Sequence, residues 1–266
     1  MQLTKLHDPE NGQMRVVGFM SGSGSNLRKL LEEEARLERE RGKSPYRIVG
    51  VATDEPNSNA LQIANEHGLE FYSHSLEGFY TREGCEDLRN LEVRAKYDEG
   101  HANFVRGSGA TVTVFAGYMR IATSVLRDAA LPINVHPGDL RVVDANGRVY
   151  TGDRAVGKAI YKGATKLHAV THVLTEEVDG GPILMVSNPL AVELPAEYSR
   201  ERTEAALAFR RQVADAHQDR LKRVGDWEVF PNTLTALADG AYARSEQGIL
   251  HYKGKPIPNG INIGDL

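Results

Sequence analysis

Short apolar runs alternate with longer amphipathic stretches through the first half of the chain. We predict buried strands at 15–20, 48–52, 69–72 and 111–116. The intervening stretches have apolar residues spaced three and four apart, and they predict helices beginning at Asn26 and over 58–66 and 82–105. Strands and helices that alternate at these lengths predict an α/β fold: an open, mainly parallel twisted sheet with helices on both faces, Rossmann-like.

The second half of the chain follows a less regular pattern. A strand is predicted at 131–135, and an Asn-Gly turn between two short β-like runs predicts a hairpin over 141–150. Further predictions are a helix over 155–161, strands at 169–175 and 183–192, helices over 196–223 and 231–243, and a terminal hairpin at 249–257. We expect a polar N-terminal extension (1–13), a main domain (14–195), and C-terminal helices with a small hairpin packed on it (196–266).

Composition narrows the classes of protein to which the chain could belong. The 266 residues are 41% hydrophobic, which is enough for a large core. The formal net charge of -4 argues against nucleic acid as a partner. No apolar run is long enough for a signal peptide or a membrane span. The single cysteine, Cys85, cannot form an intramolecular disulfide and favours a reducing compartment, so we expect a cytoplasmic protein without a membrane partner.

An Asn-x-His pair, Asn134 and His136, is the strongest chemical signal. Residues two apart on a strand point to the same face. Asn is a neutral donor suited to a developing oxyanion, His titrates near neutral pH, and a nearby acid such as Asp179 can tune it. The pattern indicates acyl transfer, although a lone histidine at a strand end is more often structural.

The sequence Ser-Gly-Ser-Gly-Ser at 21–25 lies between the first strand and the first helix. Such a loop either binds phosphate through backbone N–H groups or is a plain tight turn. It lacks the third glycine of dinucleotide sites and the Lys-Ser/Thr pair of triphosphate loops, although Asp54 could imitate a ribose-binding acid. A nicotinamide-dependent oxidoreductase is therefore disfavoured. His168 and His172 could on paper bind a metal, but we expect none.

Four motifs occur together in a specific order: Ser-Gly-Ser-Gly-Ser-Asn-Leu at 21–27, Ala-Gly-Tyr-Met-Arg-Ile at 116–121, Ile-Asn-Val-His-Pro at 133–137, and Val-Leu-Thr-Glu-Glu-Val-Asp-Gly-Gly-Pro-Ile at 173–183. From 15 to about 192 the chain thereby resembles the folate-dependent formyltransferases, most closely those that act on glycinamide ribonucleotide. Residues 14–195 would then be the formyltransferase-like catalytic domain.

The resemblance implies a role for each matching position. It implies Asn134, His136 and Asp179 as the catalytic residues, Gly24, Ser25, Asn26 and Arg82 as the phosphate and nucleotide site, and Tyr118, Met119, Arg120, Ile121 and Thr175 as the folate site. It also implies 10-formyltetrahydrofolate as co-substrate without a metal, and a phosphorylated small-molecule amine as the other partner. A homodimer is left open.

The implied function is formyl transfer from 10-formyltetrahydrofolate to the primary amine of glycinamide ribonucleotide, in purine biosynthesis, through a tetrahedral intermediate. Alternatives are another amine, such as a sugar nucleotide, water as acceptor (a deformylase), or a catalytically silent folate- or nucleotide-binding protein. The acceptor stays open because Gly138-Asp139-Leu140-Arg141 and the hairpin at 141–150 replace the family's usual Ser-Leu-Leu-Pro segment. Asp226 is the one candidate for the acceptor amine, and the sign of the His136 pKa shift is undetermined.

Overall fold

The computed structural model describes residues 2–266, which form an eight-stranded sheet, three smaller sheets and eight α-helices. The strands are β1 (Leu3–Lys5), β2 (Met14–Met20), β3 (Tyr46–Thr53), β4 (Glu70–Ser73), β5 (Val112–Phe115), β6 (Leu131–His136), β7 (Val143–Asp144), β8 (Gly147–Arg148), β9 (Lys166–Leu167), β10 (Val170–Val173), β11 (Ile183–Val186), β12 (Leu190–Ala191), β13 (Tyr242–Ser245), β14 (Leu250–Tyr252), β15 (Lys255–Pro256) and β16 (Ile261–Asn262). The helices are α1 (Ser25–Arg41), α2 (Ala60–His67), α3 (Leu76–Arg82), α4 (Leu91–Gly107), α5 (Ser124–Arg127), α6 (Ala155–Tyr161), α7 (Glu204–Leu221) and α8 (Trp227–Ala238).

The large sheet has the order β16-β11-β10-β6-β5-β2-β3-β4. All neighbouring pairs in it are parallel except the two that involve β10, which runs antiparallel to β6 and to β11. This arrangement confirms the predicted open, mainly parallel sheet. Within residues 2–266, no helix is both long and apolar enough to span a membrane.

Strand β2 shows how the two faces of the sheet are covered. Val16 and Met20 belong to one buried cluster, which also contains apolar residues of α1, α2 and α8. Val17 and Phe19 belong to a second cluster, together with residues of α4 and α5. Because side chains alternate along a strand, this division places helices on both faces, as predicted.

Two predicted helices have different bounds in the structure. The helical region predicted over 82–105 begins too early, because α3 ends at Arg82 and α4 begins only at Leu91, after a connection that contains Gly84 at φ 66°. Asn90 then caps α4 by accepting from the N–H groups of Glu92 and Val93. The helix predicted from 196 begins instead at Glu204, where the Thr203 side chain caps the first turn.

The C-terminal segments also differ from the prediction in detail. Helix α8 begins at Trp227 rather than at Pro231, because the chain continues from α7 through a π-helical turn at Lys222–Asp226. Pro231 lies in the second turn, where its missing N–H removes one helical hydrogen bond. The strand predicted over 183–192 is interrupted and forms β11 and β12.

Residues near the N-terminus join the C-terminal part of the fold. Strand β1 pairs antiparallel with β13, and the sheet continues through β14 and β15. The β14–β15 pair confirms the terminal hairpin, and the pairing of β7 with β8 confirms the hairpin predicted over 141–150.

Close packing of α1 on β2 depends on a glycine. A Cβ placed on Gly18 would lie 2.5 Å from Cδ1 of Leu27, whose side chain is wholly buried and has little room to rotate. We therefore expect Gly18→Ala to lower the free energy of unfolding by about 1–3 kcal/mol, as measured by urea denaturation. Gly107→Ala is the matched control, because a Cβ there has no neighbour within 4 Å. Equal stability of the two variants would contradict this account of the packing.

Candidate active site

The motif-bearing loops lie together because of strand direction. Strands β2, β5 and β6 are parallel neighbours, so their carboxyl ends share one edge of the sheet, where open α/β sheets bind ligands. The Ser21 N–H donates to the Gly117 C=O at 3.0 Å, which joins the loop after β2 to the loop after β5. Asn134 is the register partner of Phe115 at the end of β5. Three of the four motifs therefore follow adjacent strands at this edge.

The structure brings His136 and Asp179 together in the interior. His136 Nδ1 lies 3.4 Å from Asp179 Oδ2, and each side chain is only 7% exposed. The other ring nitrogen, Nε2, lies 2.7 Å from the Tyr150 C=O, which can only accept, so Nε2 carries a proton. Asp179 Oδ2 also accepts the Gly152 N–H at 2.6 Å. Both nitrogens of His136 therefore face acceptors.

His172 is a further member of this cluster. From the sequence it was considered only as a possible metal ligand together with His168. It is the register partner of Asn134 across the β6–β10 pair. Its Nε2 lies 3.1 Å from Asn134 Nδ2 and 3.3 Å from Asp179 Oδ1. This nitrogen can accept from the amide or donate to the carboxylate, but a neutral ring cannot do both. The only sequence signal was its place on a strand, because the register that sets it opposite Asn134 is a tertiary property.

Burial, neighbouring charges and hydrogen bonds together determine the direction of each pKa shift in this cluster. Burial lowers the pKa of His136, and the Asp179 carboxylate and the Tyr150 C=O oppose that effect without cancelling it. This resolves the sign that the sequence left open. Burial would raise the pKa of Asp179, but the contact with His172, the charge of His136 and the Gly152 N–H outweigh it and lower the pKa to about 2. Asp179 is therefore a carboxylate at any pH near neutral.

The glycine loop adopts a conformation that leaves backbone donors free. Gly24 has φ 71°, and a Cβ there would lie 2.4 Å from Ile63 Cδ1, so the position requires glycine. Helix α1 begins at Ser25, and the Arg28 N–H makes its first helical bond, to the Gly24 C=O. The N–H groups of the preceding turn have no helical partner, which is the arrangement that binds anions.

The Asn26 side chain does not face outward with this loop. Its Nδ2 donates to Asp226 Oδ2 at 3.2 Å, and both side chains are buried. Burial raises the pKa of Asp226 to about 7. Asn26 can therefore serve an anion through its backbone N–H, while its side chain connects the loop to Asp226, the candidate acceptor contact, at the start of α8.

A second buried carboxylate connects the loops after β2, β3 and β5. Asp54 accepts from the Ser21 hydroxyl at 2.5 Å and from Arg120 Nε at 2.7 Å. The Ser21 oxygen in turn accepts the Met119 N–H at 3.0 Å. Asp54 therefore orders the phosphate-type loop and the 117–121 loop together, and its carboxylate is already engaged by protein groups.

The other residues of the predicted folate site lie in different environments. The Tyr118 ring is buried and packs on Phe19 and Phe115, so only its backbone is available to a ligand. Met119 and Ile121 are 64% and 50% exposed and present apolar surface. Thr175, also exposed, donates its hydroxyl to the Glu177 C=O at 3.2 Å.

Two arginines, Arg82 and Arg94, make contacts in different parts of the fold. Arg82, predicted at the nucleotide site, ends α3 beyond the edge strand β4, where its Nη2 lies 2.9 Å from His74 Nε2. Arg94, which the sequence analysis did not single out, is buried and donates to the Ile121 C=O at 3.2 Å. Its position on a helix gave no signal of this contact. Among residues 2–266, no group of three or more His, Cys, Asp or Glu side chains is arranged to hold a metal ion.

Comparison with known proteins identifies the family. A family model described as "Formyl transferase" matches residues 14–214. The chain belongs to the formyl transferase family. The match covers β2 through most of α7, and so includes all the motif loops and the His136–Asp179 cluster.

Similar proteins carry one recurring name. The chain is 22% identical to a phosphoribosylglycinamide formyltransferase of Haemophilus influenzae, over 92% of this chain and 96% of that protein. It is 24% identical to the Escherichia coli protein of that name, over 65% of this chain and 71% of that one. The crystal structure of the Anaplasma phagocytophilum phosphoribosylglycinamide formyltransferase has the same fold, with a TM-score of 0.65, 19% identity, and coverage of 95% of this chain and 100% of that one.

The electrostatic role of Asp179 in this formyl transferase family member is directly testable. Asp179→Asn removes the negative charge that favours the imidazolium, so we expect the pKa of His136 to fall further below its usual value. NMR titration of the His136 ring protons measures this shift. Glu177→Gln makes the same charge change at an exposed position two residues earlier and should alter the titration much less. A His136 titration that is unchanged in Asp179→Asn would disprove the coupling.

Proposed function

We propose that the protein transfers a formyl group from 10-formyltetrahydrofolate to the primary amine of glycinamide ribonucleotide. The observation that carries this proposal is the cluster of Asn134, His136 and Asp179 at the carboxyl end of β6. Its side chains offer a neutral donor, a titrating ring and a fixed carboxylate, which are the groups that formyl transfer needs. The family assignment supports formyl transfer, and the name of the relatives supports this acceptor.

The first step is attack of the acceptor amine on the formyl carbon. A C–N bond forms, the C=O electron pair moves to oxygen, and a tetrahedral intermediate results. Asn134, partly exposed, would turn its amide N–H toward that oxygen. Removing one such donor typically raises the barrier by about 2.7–4 kcal/mol.

The second step moves one proton and breaks one bond. The attacking nitrogen loses a proton. The oxyanion's electron pair re-forms the C=O bond as the bond between the formyl carbon and the folate nitrogen breaks, and the folate nitrogen, which keeps the electron pair of that bond, gains a proton. A neutral His136 with its proton on Nε2 has a free lone pair at Nδ1, beside Asp179. Nδ1 would take the proton, directly or through a water, and Asp179 would stabilise the imidazolium until it returns the proton.

The remaining contacts would hold the two substrates. The free N–H groups at the start of α1, from Gly24 to Asn26, suit the phosphate of the acceptor. The exposed side chains of Met119 and Ile121 suit packing against the faces of the folate rings. Arg82 would help to bind the acceptor nucleotide and Arg120 would line the folate pocket, as in the sequence prediction.

Acceptor identity is tested by comparing acceptors with the purified protein. We expect turnover of 10-formyltetrahydrofolate with glycinamide ribonucleotide, and at least about tenfold less with sugar-nucleotide amines or water. A sugar nucleotide carries its phosphates as an internal diphosphate rather than as a terminal phosphate, and water has neither an amine nor a phosphate. Release of tetrahydrofolate measured by absorbance gives the rate. Faster turnover with another amine or with water would refute the proposed acceptor, and folate binding without any turnover would refute the enzymatic function.

The role of the cluster is tested separately by substitution. Asn134→Ala should reduce kcat by roughly 10²–10³-fold through loss of the oxyanion donor. His136→Ala should reduce it by roughly 10²–10⁴-fold through loss of proton transfer. Asn103→Ala, at an exposed position on α4, is the control and should keep full activity. Circular dichroism checks folding, and activity retained in both cluster variants would remove the mechanism.

A further inference from the structure

The segment between β6 and α6, residues 137–154, lies over the His136–Asp179 pair rather than away from it. It contains the β7–β8 hairpin. Three of its residues contact the cluster: the Tyr150 C=O meets His136, the Gly152 N–H meets Asp179, and the Arg148 side chain meets the turn that carries Asp179. The segment therefore forms one wall of the candidate active site.

The backbone of Asp179 has an unusual conformation that needs support. Its φ is 54°, in the left-handed region that non-glycine residues adopt at a cost of about 1–2 kcal/mol. The turn is closed by the Gly180 N–H, which donates to the Glu177 C=O at 3.0 Å. Beyond it, a Cβ on Gly181 would lie 1.8 Å from the Val173 C=O, so this backbone lies very close to the end of β10.

Arg148 contacts the backbone of this turn on both sides of Gly180. The guanidinium Nη1 donates to the C=O of Asp179 and, at 2.8 Å, to the C=O of Gly181. A cation that joins the carbonyls on both sides of Gly180 limits rotation of the Asp179 peptide. Because the Gly152 N–H also donates to the Asp179 carboxylate, residues of this segment constrain both the backbone conformation and the side-chain position of Asp179.

We propose that Arg148 is a positioning residue for formyl transfer, which holds the Asp179 carboxylate at the distance and angle from His136 that the proton transfer requires. The proposal rests on the proposed function. It assigns a role to the hairpin that the sequence left open. Arg148 has no direct contact with His136, so it acts through Asp179.

Charged groups lie around Arg148 and around the His136–Asp179 pair. They determine how a substitution of Arg148 would change the pKa of His136. Arg148 faces the carboxylates of Glu177 and Asp179. His136 faces Asp179, His172 and the ammonium of Lys158, which itself is held by the Thr151 C=O. If Asp179 moves away from His136, the imidazolium loses its main electrostatic support while the Lys158 ammonium remains. The pKa of His136 then falls, and whichever limb of the pH–rate profile His136 controls moves to lower pH.

The first test compares three substitutions of Arg148 in the full-length protein. Arg148→Ala should lower kcat by about tenfold or more, since a charge-assisted contact at the reacting pair is lost, with less than about threefold change in the KM for either substrate. Arg148→Lys should recover part of that loss, because an ammonium can still donate to the same carbonyls. Arg148→Gln, which keeps one donor and loses the charge, covers the case in which the alanine variant does not fold. Arg39→Ala, which removes an exposed arginine on α1 outside this segment, is the control and should keep kcat.

The second test detects a change in the position of Asp179 relative to His136 without measuring turnover. NMR titration of His136 should show a lower pKa in Arg148→Ala than in the wild-type protein, and an intermediate value in Arg148→Lys. If the folded alanine variant keeps both kcat and the His136 titration, the proposal is wrong. It is also wrong if kcat falls but the lysine variant shows no recovery and the titration is unchanged, because Arg148 then acts on the fold alone. A wild-type protein inactive with every acceptor would overturn the proposed function, while the titration would still decide whether Arg148 positions Asp179.

Discussion

A buried carboxylate stays charged only if protein groups replace the water around it. Asp179 contacts such groups from three parts of the fold. His136 comes from β6, His172 from β10, and the Gly152 N–H from the segment before α6. The low pKa of Asp179, about 2, results from these contacts together. The candidate active site thus depends on correct assembly of the sheet, because the carboxylate loses partners if any of these elements moves.

The sheet itself explains why motif-bearing loops from distant parts of the chain meet. Parallel strands end at one edge, and the loops after β2, β3 and β5 are joined there through Ser21, Asp54 and Arg120. In addition, α1 packs close to β2 over Gly18, which directs the helix N-terminus toward the same edge. The phosphate-type loop and the acid–base cluster are therefore parts of one surface, although about 110 residues of sequence separate Gly24 from Asn134.

The segment that connects β6 to α6 contacts the His136–Asp179 pair through its backbone. At about one-fifth sequence identity to solved relatives the fold is retained. The segment after His136 provides contacts through Tyr150, Gly152 and Arg148. Two of these contacts are made by backbone groups, which any sequence offers, whereas the third is made by the Arg148 side chain.

Local periodicity was enough to predict most strands, the sheet type and the placement of Asn134 and His136 on one strand, because the spacing of residues along a strand or helix follows directly from the sequence. The Asn-Gly turn was enough to predict the hairpin at 141–150. Periodicity failed where short-range signals compete: Gly84 and the Asn90 cap delay the start of the helical region predicted over 82–105. The tertiary structure alone decided that His172 lies opposite Asn134 and that Arg148 reaches the Asp179 turn. These contacts depend on strand register and on the path of a connecting segment, and both are determined by packing between residues far apart in the chain.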